Sequence, residues 1–141
     1  MKNYIVPIFF IMAVIICFVL IKPKEKSTIQ AVEYKTYFAS EDDIPKYNNL
    51  TINDLGFCYE VVTKEKLNTS QTKIMGQSEI ILCNKTDINK ILQEKGCILN
   101  NRYQVGEILV LEGINKNKQK MQVAYSKGML IIGFPVIFGS Y

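Results

Sequence analysis

The sequence predicts an α+β protein: an N-terminal transmembrane helix followed by a small, mainly antiparallel β domain with one short helix. Three observations lead there. Tyr4 to Ile21 is a run of 18 residues with no charge and no strongly polar side chain. After residue 27, short segments alternate apolar and polar with a period of two and are separated by turn residues. One segment alone, Thr86 to Gly96, has a helical stripe bounded by capping residues.

The apolar run corresponds to roughly 27 Å of helix, close to the thickness of a bilayer core. Pro7 falls in the first turns, where a missing N–H costs least. The run ends Val19-Leu20-Ile21-Lys22-Pro23, without the small residues of a cleavage site. Ile16, a large residue, precedes Cys17, and apolar sequence continues beyond it, so lipid attachment at that cysteine is not expected. Residues 1–26 are therefore read as an uncleaved anchor with a basic flank, and residues 27–141 as a single β-rich domain. Lysine bias alone places the domain in the cytoplasm, with three lysines after the run and Lys2 before it. The layout of a very short tail, an apolar run and a long C-terminal part is that of an exported domain. The expectation is a single-pass membrane protein with an extracytoplasmic domain.

Within the domain, Val32, Tyr34, Thr36 and Phe38 share one face of a first strand. Ser40–Pro45 reads as a solvated turn. Thr51–Gly56 reads as a helical turn or tight loop, with Thr51 and Asp54 at capping spacing. Phe57–Thr63 is a second strand. Ser78–Cys83 is a third, apolar enough to be central. Ile88, Ile91 and Leu92 form the stripe of the short helix, and Gly96 stands where a left-handed residue ends it. Glu107–Glu112, Met121–Tyr125 and the segment after Gly128 read as a meander. The total is five or six strands, as a partly open barrel or an open sheet. The Gly106–Gly113 hairpin is similar to those of OB-like or SH3-like barrels, in generic features only.

Charge and composition exclude several functions. Residues 1–26 hold four of the 17 basic and one of the 13 acidic residues, so most of the net charge of +4 flanks the apolar run. The domain is nearly neutral, and no nucleic-acid surface is expected. There is no histidine. That removes Ser-His-Asp and Cys-His catalysis within this chain, and the commonest metal ligand. Cys58, Cys83 and Cys97 form no Cys-x-x-Cys pair. Cys83 ends a strand and Cys97 follows the helix, so these two are the candidate disulfide, with Cys58–Cys83 the second choice. Ser126 and Lys127 are adjacent, but neighbouring side chains in a turn diverge and make a poor dyad. No cofactor, no metal and no small-molecule substrate is expected.

The remaining feature is the uncharged C-terminal segment from Met129 to Phe138. One reading is a final core strand with Pro135 at an edge. The other is a docking segment, with Met129, Leu130, Ile131, Ile132, Phe134, Val136, Ile137 and Phe138 as the candidate partner interface. The functional expectation is a membrane-anchored, non-catalytic binding or accessory module that contacts another envelope protein. Two alternatives stand beside it: an immunity or exclusion-type inhibitor of a bacterium or phage, and an enzyme of unrecognised type.

Overall fold

The computed structural model describes residues 29–70 and 72–137. Eight strands and one short helix follow in the order β1 (Glu33–Phe38), β2 (Thr51–Asp54), β3 (Tyr59–Thr63), β4 (Gly76–Leu82), α1 (Ile88–Glu94), β5 (Ile98–Val105), β6 (Ile108–Ile114), β7 (Lys120–Ser126) and β8 (Met129–Phe134). They form one antiparallel sheet, ordered β2-β3-β1-β4-β8-β7-β6-β5. The chain leaves β4, crosses through α1 to the far edge at β5, and returns strand by strand until β8 pairs with β4.

Local chemistry fixes the connections. The Asn84 N–H donates to Asp87 Oδ2 at 3.3 Å, just before α1. The helix stops at Gly96, whose φ of +68° is cheap only for glycine. There the Cys97 N–H reaches back to the Leu92 carbonyl and the Gly96 N–H to that of Gln93, both at 2.9 Å, a Schellman closure. In the β7–β8 hairpin Lys127 and Gly128 both have positive φ, as a two-residue turn matched to strand twist requires. The longer β6–β7 turn is organised by Asn115, whose Oδ1 accepts from the Asn117 and Gln119 N–H groups at 2.9 Å.

One face of the sheet carries the core. Ile88, Ile91 and Leu92 of α1 pack against Ile81, Leu111, Val123, Leu130 and Ile132 from four strands. A second cluster, Phe38, Ile44, Val61 and Leu67, fills the same face beneath the β1–β3 end.

The structure corrects the expected fold class in three respects. The sheet has eight strands rather than five or six, and of the two expected forms it takes the open sheet and not the barrel, with β2 and β5 as its edges among the described residues. Thr51–Asp54 is a strand, not a helical turn: it pairs with β3, and all four of its residues are exposed, so burial left no pattern to read. The third correction concerns the membrane. Among the described residues no helix is long and apolar enough to cross one. The described fold is thus a mainly β antiparallel sheet with one short helix, in place of the single-pass membrane architecture and localisation. The anchor expected over residues 1–26 lies outside the described residues.

Candidate interaction surface

Strand β8 positions the site. Its side chains alternate between the two faces of the sheet, as in any strand. Leu130 and Ile132 point to the helix side and are fully buried. Met129 and Ile131 point the other way and are half-buried. Register extends them into two apolar rows on the face opposite α1. The first runs Ile80, Ile131, Ala124, Val110, Tyr103 across five strands. The second pairs Leu82 with Met129 and Ile108 with Val105, with Ser126 opposite Met129. Leu82 and Val105 are 62% and 57% exposed. Val105, Ile108, Ala124, Met129 and Ile131 line an apolar cavity of about 410 Å³, with Glu107 and Lys127 at its rim. Those two rim charges form an exposed pair at 3.7 Å.

The rest of that face is closed and polar. Glu60 is only 7% exposed. It accepts from Tyr37 Oη at 3.2 Å and Asn53 Nδ2 at 3.0 Å, and pairs with Lys35 Nζ at 3.2 Å. Burial opposes its ionisation, but the Asn53 hydrogen bond, the Lys35 charge and the Tyr37 hydroxyl outweigh burial and hold the carboxyl below its ordinary value. Tyr37 is pushed up to about 12, chiefly by burial. Between this network and the apolar rows lies Gly133. A Cβ there would stand 2.5 Å from the Val136 carbonyl oxygen, so the chain after β8 passes directly over it. The Ile137 N–H then donates to Gln122 Oε1 at 3.3 Å.

The residues expected at a partner interface are therefore divided. Leu130 and Ile132 belong to the core, and Phe134 packs against it. Met129 and Ile131 lie on the open face. Val136 and Ile137 belong to the crossing over Gly133, with Val136 exposed, and Phe138 is outside the described residues. Ile80, Leu82, Val105 and Ile108 were not anticipated as surface. The signal for them was the run Ile108-Leu109-Val110-Leu111, apolar at both parities, as a strand is when both its faces meet apolar neighbours.

Cys83 and Cys97 both pack against the helix-side core, and Cys58 is buried near the Tyr37–Glu60 network. All three thiols are free in this structure. Burial is the largest influence on each and pushes it up, which disfavours the nucleophilic thiolate. Among the described residues no three His, Cys, Asp or Glu side chains are grouped to hold a metal ion.

A second cavity of about 410 Å³ lies on the helix side, between the end of α1 and the β6–β7 turn. Its lysines and carboxylates are mixed, and Lys95 is bound to Glu79 at 2.8 Å. The chain matches no protein family, no curated protein and no solved structure with which it was compared.

Proposed function

We propose that this protein is a non-catalytic binding module, and that another protein docks on the apolar half of the sheet face opposite α1. One observation carries the reading: among the described residues no helix lies over the two cross-strand apolar rows, in which Leu82, Val105 and Tyr103 are exposed, Met129, Ile131 and Ile108 half-buried, and only Ala124 and Val110 buried between them, while the polar half of the same face is closed. Contiguous apolar surface of this kind is costly to leave in water and marks interaction sites. The side chains that would anchor a partner are Ile131 and Met129 at the centre, with Leu82, Val105 and Ile108 around them.

The test is site-specific photocrosslinking in the native cell. A photoreactive residue replaces Ile131 in one variant and Lys90, on the exposed side of α1, in another. A discrete protein adduct from position 131 and none from position 90 supports the reading. Equal adducts from both positions, or none from either, contradict it.

A further inference from the structure

Among the described residues the sheet ends on two unlike edges. β2 is four residues long and finishes at Asp54. β5 is eight residues long, and every one of them is exposed. The outward backbone N–H and C=O groups of an edge strand form a template for another strand, which natural sheets usually blunt with proline, lysine or short length. β5 has no proline and no lysine, and Arg102 is its only charge. Ile98 and Val105 stand 60% and 57% exposed along it. A bulge interrupts the strand between Leu99 and Asn101, which leaves Asn101–Val105 as a regular template.

We propose that β5 is a self-association edge, on which a second copy of this chain adds its own β5 antiparallel, about a two-fold axis at Tyr103. Two considerations fix this arrangement. A two-fold at Arg102 would set two guanidinium groups opposite each other, which is unfavourable. A two-fold at Tyr103 uses the whole regular stretch. It places Tyr103 opposite Tyr103, Arg102 opposite Gln104 and Asn101 opposite Val105. Residues directly opposite share a face, so the apolar row that ends at Tyr103 continues into the second copy. The other edge does not compete. Pairing β5 with β2 of the next copy matches eight residues with four, and it is a heterologous contact with no built-in closure. The strand junction alone offers less than the roughly 800 Å² per partner of a standard interface, so the dimer is weak and exchanges with monomer. The inference rests on the edge and not on the docking face.

The test is sedimentation equilibrium of the full chain over a range of concentrations, with two charge variants of the exposed Gln104. In the proposed register Gln104→Glu sets a carboxylate opposite Arg102 on both sides of the axis, and Gln104→Arg sets a second guanidinium there instead. The wild type is expected to dimerise reversibly with rising concentration. Gln104→Glu tightens the dimer about two- to thirtyfold, Gln104→Arg weakens it by a similar factor, and high salt shrinks both effects. A monomeric wild type at every concentration overturns the proposal. So do variants that leave association unchanged or shift it in the same direction. Association abolished by Ile131→Lys and indifferent to Gln104 assigns self-association to the open face instead, and also overturns it.

Discussion

Leu130 and Ile132 lie under α1 with no exposed surface, while Met129 and Ile131, their neighbours in the same strand, are half-buried on the other side. The two faces of the sheet share the same strands, and from β4 to β8 both carry apolar side chains. They differ in what the chain provides to cover them. One face receives the only α-helix among the described residues. The other receives, among the described residues, the short crossing at Gly133 and the polar closure around Glu60, and between these and the β5 edge its apolar rows keep Leu82 and Val105 exposed and Met129, Ile131 and Ile108 half-buried, with Ala124 and Val110 buried between them. Apolar sequence marks a strand as suited to burial. Topology decides whether the covering partner comes from within the chain.

The sharpest way to break this comparison is to hollow out the covered face. Leu130→Ala should cost about 2–5 kcal/mol, because packed neighbours close only part of the cavity left behind. Met129→Ala, on the open face, should cost less than half as much. Chemical denaturation measures both, and equal losses would mean that both faces are core. The crossing at Gly133 comes next. Gly133→Ala forces a methyl group against the Val136 backbone, and overpacking of this kind costs about 1–3 kcal/mol. Hydrogen exchange should then show faster exchange at the Ile137 amide, which loses its position over Gln122.

A smaller effect separates the polar closure from the apolar rows. The Glu60 carboxyl is held below its ordinary value of 4.5 in the folded state. A depressed carboxylate stabilises the fold above the unfolded-state value, and that contribution is lost as pH falls below about 4.5 and through the folded value. Glu60→Gln should be less stable than wild type at pH 7 by about 1–2 kcal/mol. The gap should narrow as the pH falls through that window. Tyr37 acts at the other extreme. Its neutral form is favoured by the fold, so stability is full below pH 10 and falls as pH rises from there toward 12. Tyr37→Phe should flatten that alkaline loss, which a pH series of thermal unfolding curves would show.

How far the sequence could be read follows the same division. β1 and β3 were legible from their alternation, β4 and β8 from their apolar runs, β6 and β7 as a meander between turn residues, and α1 because its stripe and Gly96 both follow from helix geometry. The edges were not. β2 buries nothing, and β5 begins among Ile98, Leu99, Asn100, Asn101 and Arg102, where exposure on both sides removes any period. The candidate interface was half legible. An uncharged run from Met129 announces burial, but only the pairing of β8 between β4 and β7 shows which alternate residues meet α1. Glu60 was invisible because its three partners come from two other strands, Tyr37 and Lys35 from β1 and Asn53 from β2, joined only by register. The membrane reading rested on composition in residues 1–26, and nothing in the described sheet continues it.

The measurement that bears most directly on the two-faced sheet is the thermal unfolding of two neighbouring single variants, Ile131→Lys and Ile132→Lys. Ile132→Lys would bury an unpaired charge under α1 and should abolish cooperative unfolding. Ile131→Lys sets its ammonium group on the open face and should keep a cooperative transition within a few degrees of wild type. Loss of the fold in both variants would show that the face opposite α1 is sealed core, and would remove the docking surface on which the proposed function depends.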